Sequence, residues 1–426
     1  MASSSNSVGI EGSEQNPVAS PNSTGVYDSD PGLDGGASDM DVEEDANETN
    51  EYSEEDSGDD YYEGNDESWE DASNADNDSN VGESELAVNF IKFDEERCHP
   101  QTDSILFNSF PGEIRDLIFY YALCDYEDTS KLYDENTCYR RPGYFAPRRT
   151  DTALLGTCQR IYREAWFLPW TTREHTMFLA ADDRVPVHNA SYNEMRETLK
   201  LVNAIHGKTE IDHIRIFPQL YRLEPGVELQ RINEWRHFHP RRFTITIRHT
   251  DWWFWEADEP LKIGSRFVTE SCFPSSVKEL CLELESLERR KEQINSIAKL
   301  MIDNWHFHRN DGLCLSAKDS AISVTRWSGS STWGGKRWIR DEARPDELDY
   351  YVASIVFKPT VLESCNKEVH TGHNCSQPLL RVSGFTPFNP PKSTIPESIL
   401  KLANIPPGTP AEEVRRIWQS FNLSRG

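Results

Sequence analysis

The chain has 426 residues and a formal net charge of −28 at pH 7, but the charge is unevenly placed. Of the 72 acids, 26 precede the first basic residue, Lys92, leaving 46 acids against 44 Lys plus Arg in the remainder. Direct nucleic-acid binding through so acidic a segment is disfavoured, because phosphates repel it, and no apolar run approaches the ~20 residues needed to span a bilayer.

The nine cysteines lack the spacing of a disulfide framework, and the opening MASSSNSVGIEGSEQ has neither the basic nor the apolar part of a secretory signal. These features point to an intracellular protein with free thiols, cytoplasmic or nuclear. Residues 1–87 are rich in Ser, Asn, Gly and acids and poor in aliphatics, so they are expected to stay disordered. Ser53 in SEED and Ser57 in SGDD are flanked by acids and are candidates for phosphorylation. Such a tail suits a basic protein surface of the histone or ribosomal type, the chain's own basic face, or simple solubilisation.

Order is expected from about Val88, with a helical region over 88–180. In FNSFPGEIRDLIFYYALC, Ser109 reads as an N-cap, and Ile114, Leu117, Ile118 and Tyr121 recur at helical spacing. A polar stretch over 125–150 comes next, too long for a tight turn. ALLGTCQRIYREAWFLPW then gathers Leu154, Leu155, Cys158, Ile161, Tyr162 and Ala165 on one helical face, stopped by Pro169.

A strand is expected at HTMFLA, and the segment 181–358 is expected to form an α+β recognition domain. IDHIRIFPQL, FTITIRH, VKELCLELE, SAISVTRW and DYYVASIVF are strand-like, and LERRKEQINSIAKLMIDNWHF is helical. The fold class is therefore α+β, with leading helices on a mixed or antiparallel sheet. Residues 359–426 form a Pro-rich segment ending in an amphipathic helix, TPAEEVRRIWQSF, with Thr409 as N-cap and Glu412 completing a capping box.

No catalytic constellation assembles, and no cofactor is implied. WSGSSTWGGKRW fails as a phosphate loop, because Ser330 stands where a glycine is needed and Arg337 comes directly after Lys336; its tryptophans fit a packed hairpin better. Cys365, His370, His373 and Cys375 are zinc-type donors within eleven residues, in a spacing that also suits a polar surface loop. HFHPRR, 237–242, reads as a basic turn that would receive the acidic tail or lie solvated. RRK at 289–291 reads as a helix surface or a localisation signal.

FPGEIRDLIFYYAL together with LLGTCQRIYREAWFLPW resembles a large group of F-box-like proteins of filamentous fungi. Phe110, Pro111, Glu113, Ile114, Arg115, Ile118, Tyr121, Ala122 and Leu123 carry the first half of the pattern. Leu154, Leu155, Thr157, Cys158, Ile161, Tyr162, Glu164 and Ala165 carry the second. The likeness runs over roughly 106–357, with Phe110 in place of the usual leucine and the 125–150 insertion between the halves. The resemblance implies a non-enzymatic adaptor that docks the Skp-type subunit of a cullin ubiquitin ligase through Phe110, Pro111, Ile114 and Ile118. The region behind would then choose substrates. Without that role, the same apolar stripe would pack as ordinary core.

DWWFWEADEPL, 251–261, holds an unusual aromatic run. If it continues the strand FTITIRH, Trp253 and Trp255 join the core, and Trp252 and Phe254 form an aromatic patch on the face of Thr244, Thr246 and Arg248. Trp418 and Phe421 of the last helix would cover it. A break in the strand at Thr250–Asp251 would void that parity.

Overall fold

The sheet at the centre of this protein grows from β-branched and alternating segments, and all the strand-like runs of the sequence take part in it. A computed structural model describes residues 98–187, 192–361, 380–381 and 394–423. The acidic segment with Ser53 and Ser57, and the Cys365, His370, His373 and Cys375 group, lie outside the described residues. The chain divides after Ser73, and all described residues belong to the second unit. Among them no helix is long and apolar enough to cross a membrane.

The fold is α+β. The strands β1 (Glu174–Leu179), β2 (Ile211–Pro218), β3 (Pro240–Ile247) and β4 (Glu279–Leu287) run parallel, each beside the next. β6 (Glu347–Thr360) pairs antiparallel with β4, and β5 (Ser323–Ser330) pairs antiparallel with β6. The short strands Cys314–Ser316, His306–Arg309 and Cys272–Phe273 extend the same sheet from the far end of β6.

One face of the sheet carries the main core. Phe243, Ile245 and Ile247 of β3, Leu280, Leu282 and Leu284 of β4, and Ala353, Ile355 and Phe357 of β6 are buried there, as their alternation requires. α1 (Gly112–Ala122) and α2 (Gln159–Ala165) do not lie on the sheet as expected but share a core of their own, whereas α3 (Tyr192–His206) and α4 (Lys291–Asn304) pack on the main core. α4 presents Ile294, Ile297, Ala298 and Met301 to the core, while Leu287, the first residue of the run expected to be helical, belongs to β4. α3 buries Met195, Leu199 and Val202.

The leading segment departs from expectation at its caps. Ser109 closes the short helix Ile105–Asn108, and Pro111 stands at the start of α1. The second apolar run is split: a 3-10 turn, Ala153–Gly156, precedes α2, which Cys158 caps by accepting from the Ile161 amide through sulfur at 3.5 Å. α2 ends at Ala165, so Pro169 does not stop it but sits in the next turn, Leu168–Thr171. The last helix, α5 (Ala411–Leu423), starts without the expected box, the Thr409 hydroxyl donating back to the Pro406 carbonyl at 2.7 Å.

The polar stretch 125–150 does not hold α1 and α2 apart. Its ends pair as a ribbon, Asp125–Glu127 against Arg148–Thr150, which returns the chain to its starting point. Phe119 and Leu123 of α1 therefore pack on Ile161 and Ala165 of α2 in a small separate core.

The aromatic run is not a strand. His249–Asp251 form a 3-10 turn and the chain then coils, because the Asp251 carboxylate accepts from the Arg248 backbone amide at 2.9 Å and bends the backbone there. Trp252 is only 2% exposed, its indole donating to the Glu285 carbonyl at 2.8 Å, whereas Phe254 is 53% exposed beneath Lys262. The pair thus forms no common patch. Trp418 covers neither; it packs with Ile339, Ile395 and Val414 in a third apolar cluster.

Trp255 packs at a tilt against Trp338 and Trp333, whose ring centres lie 4.4 and 6.0 Å away and which stack on each other. Those two flank the tight hairpin Thr332–Trp333/Lys336–Arg337, turned by Gly334 and Gly335 at φ of +58° and +67°. WSGSSTWGGKRW is a packed hairpin.

Candidate functional site

Two features of this architecture stand out as candidate sites. The first is α1. Arg115 donates to both carboxylate oxygens of Glu164, at 2.8 and 3.1 Å, and so fixes the angle between α1 and α2. With Phe119 and Leu123 turned inward, the stripe of Ile114, Leu117, Ile118 and Tyr121 faces outward. Ile114 is 42% exposed and Leu117 51%; Phe110 and Pro111 at the helix start are exposed as well. All four residues expected to dock an adaptor therefore lie at the surface. The alternative, in which they pack as core, is not what the described residues show. Contiguous exposed apolar surface of this kind marks an interaction site far more often than isolated apolar residues do.

The second feature is the polar face of the sheet. Strand parity puts His213 and Arg215 of β2, Thr244 and Thr246 of β3, and Glu283 and Glu285 of β4 side by side there. Arg215 donates to Thr246 at 2.8 Å and to Glu283 at 2.5 Å, and Thr246 donates to Glu283 at 2.7 Å. The 125–150 stretch lies across this face. Tyr144 donates to Glu174, and Arg141 reaches Glu285 at 3.2 Å. This polar insertion, rather than the last helix, covers the side of β3 opposite the core.

Burial alone would raise the Glu174 and Glu283 carboxyls. At Glu174 the His213 bond and Arg215 outweigh burial, and at Glu283 Arg215 and Arg141 do, so both stay below the usual carboxylate range. Burial also pushes the Cys138 thiol up, and with Glu283 nearby it pushes Cys281 up to about 12. Neither sulfur is thus held as a reactive thiolate.

Between the insertion, the 248–250 turn and β5 there is a cavity of about 40 Å³. Its lining includes Arg140, Arg141, His249, Thr250 and Trp333, and these five residues carry buried polar atoms with no partner: Arg140 Nε, Arg141 Nε and Nη1, His249 Nε2, Thr250 Oγ1 and Trp333 Nε1. A buried donor left unmet costs about 1–3 kcal/mol, so their concentration in one place is itself a signal. The cavity opens beside a groove of about 650 Å³, with Glu135, Arg140, Ser328, Gly329 and Ser330 lining both. The sequence singles out WSGSSTWGGKRW for other reasons, but nothing in it joins Trp333 to Arg140, Arg141, His249 and Thr250 until the fold gathers them.

Two buried histidines give the fold a defined acid response. Burial, with Arg173 beside it, takes His175 down to about 3. Burial likewise takes His249 to about 3, Asp341 opposing and Arg290, Arg289 and Arg340 reinforcing the shift. In the unfolded chain both imidazoles take up protons below their ordinary 6.5, whereas in the folded chain they do not until about pH 3. Stability is therefore full above about pH 6.5 and falls as pH drops through that window, by up to about 1.4 kcal/mol per pH unit for each histidine. Urea unfolding between about pH 6.5 and 5, above the carboxylate range, is expected to show this slope, with His249→Asn reducing it by about half.

Other expected sites resolve differently. Arg241 and Arg242 of the basic turn are already paired with Glu210 and Asp212, at 3.4 and 2.6 Å. Arg290, in the 289–291 run, is buried against Asp258, so that run is not an accessible signal. Among the described residues no group of three or more His, Cys, Asp or Glu is placed to hold a metal ion.

No family model matches this chain, and neither the curated proteins nor the solved structures compared with it give a match.

Proposed function

We propose that the chain is a protein-interaction adaptor whose α1 face docks a partner, in the manner of an F-box-like subunit binding the Skp-type adaptor of a cullin ubiquitin ligase. The observation that carries this reading is the outward stripe of Ile114, Leu117, Ile118 and Tyr121, on a helix held rigidly by the Arg115–Glu164 pair. A helix that buries Phe119 and Leu123 against its neighbour while keeping its broader apolar stripe outside is preorganised for a groove on another protein. Phe110 and Pro111 extend the stripe at the helix start. The α+β region behind would present the substrate.

The test is co-expression of the full chain with a Skp-type adaptor, and then purification through a tag on the adaptor. Stoichiometric co-elution supports the reading; absence of any association removes it.

A further inference from the structure

The donor-rich cavity over β4 has features of a recognition site, independent of what α1 docks. Arg141, 8% exposed, carries two unpartnered nitrogens there, and the unpartnered Thr250 hydroxyl and Trp333 indole nitrogen are as deeply buried. The arginine and tryptophan nitrogens only donate, so whatever completes this set must bring acceptor oxygens.

Charge narrows the class. Asp251 neutralises Arg248 and Glu285 engages Arg141, but Arg140 has only Glu135, at the exposed rim. The cavity thus suits a single negative charge and disfavours an amine. Size narrows it further: about 40 Å³ is room for roughly three water-sized atoms, which a carboxylate fills and a phosphate exceeds.

The adjoining groove says what bears the carboxylate. It lies over the paired ends of β5 and β6, lined by Ser328, Gly329 and Ser330 of one strand and Glu347 of the other. An open groove leading into a side pocket suits an extended peptide. The groove itself contains Glu135, Asp346, Glu347 and Glu397 against Arg140, Lys401 and Arg337, the last engaged by Glu342 and Asp346, so its small charge excess is acidic and disfavours a run of acids. That disfavours the chain's own acidic leading segment as occupant.

We propose that this cavity anchors a peptide-binding groove, taking one carboxylate, from a side chain or a chain end, of a partner segment laid over the ends of β5 and β6 whose neighbouring residues are neutral or basic.

Calorimetric titration of the full chain with short peptide pools tests this. One pool is capped at both ends and carries a single Asp among Ser, Gly and Lys; a second has no acidic side chain but a free C-terminal carboxylate; a third has no carboxylate; a fourth is polyglutamate. The first or second pool is expected to bind at least about tenfold tighter than the third and fourth, about 1.4 kcal/mol, and which of them does so identifies the source. Thr250→Val removes an unpartnered hydroxyl, so it is expected to weaken that binding about tenfold without lowering the unfolding midpoint. Trp333→Phe removes a second donor and is expected to weaken binding in the same direction, its unfolding midpoint falling as well because the ring packs on Trp255 and Trp338. Equal binding of pools with and without a carboxylate, no binding by any pool, tighter binding of polyglutamate, or unchanged affinity in both variants would each overturn the proposal and leave a water-filled cavity.

Discussion

Asp251→Ala is expected to destabilise the protein by about 3–5 kcal/mol, measured as a shift in the urea midpoint with little change in slope. Asp251 and Arg248 are both buried, and the carboxylate receives Arg248 Nε at 2.8 Å and Nη2 at 3.0 Å. Removing it leaves a guanidinium sealed from water, with the Arg184 carbonyl at 3.3 Å among its few remaining acceptors. The same carboxylate accepts the Arg248 backbone amide, so the turn carrying His249, Thr250 and Trp252 loosens as well. Replacing both partners by apolar residues, Arg248→Met with Asp251→Leu, should recover part of the loss, because the desolvation of both charges disappears while the backbone amide stays without its acceptor. A loss below about 1 kcal/mol in the single variant would mean that Glu285, across the cavity, takes over the charge.

That turn also explains why one part of the fold is readable in the chain and another is not. The strands are legible because β-branched alternation is local: Phe243, Ile245 and Ile247 face the core as their spacing demands. Their polar neighbours Thr244 and Thr246 look solvent-facing in the sequence, yet they are buried. What covers their face is the 125–150 stretch, and nothing in its composition announces that Arg141 will reach Glu283 and Glu285 on β4. The aromatic run defeats the strand pattern for a local reason. Asp251, three residues after Arg248, caps a turn instead of continuing a strand, so extending the parity of β3 misplaces Trp252, which is buried in the main core, whereas Trp253 and Trp255 do pack there. α3 carries a readable signal that the α+β expectation over 181–358 leaves unplaced: Met195, Leu199 and Val202 recur at helical spacing in YNEMRETLKLVNAIH.

The candidate sites divide along the same line. The α1 stripe is written in the periodicity, but periodicity alone does not say whether a stripe faces inward or outward. That depends on Phe119 and Leu123 finding Ile161 and Ala165 first, which in turn requires the ribbon at 125–127 and 148–150 to close the insertion. The carboxylate cavity is written nowhere in the sequence, because Arg140, Thr250 and Trp333 meet only through tertiary packing.

Ile114→Glu combined with Ile118→Glu is expected to abolish co-purification with a Skp-type adaptor, a loss of at least about a hundredfold, or about 2.7 kcal/mol. Each carboxylate would be carried into an apolar contact without a partner, which costs more than the simple loss of a methyl group. Stability in the absence of partner should change by no more than about 0.5 kcal/mol, since both positions already face solvent in the free chain. Phe119→Ala supplies the contrast. It lies one residue from Ile118 but is fully buried between α1 and α2, so it should cost about 3–5 kcal/mol of stability whether or not a partner exists. If the double glutamate variant instead unfolds the α1–α2 pair, Ile114 and Ile118 serve structure. If it is stable and still binds, the adaptor uses another surface. Only a stable variant that has lost binding assigns the stripe to docking.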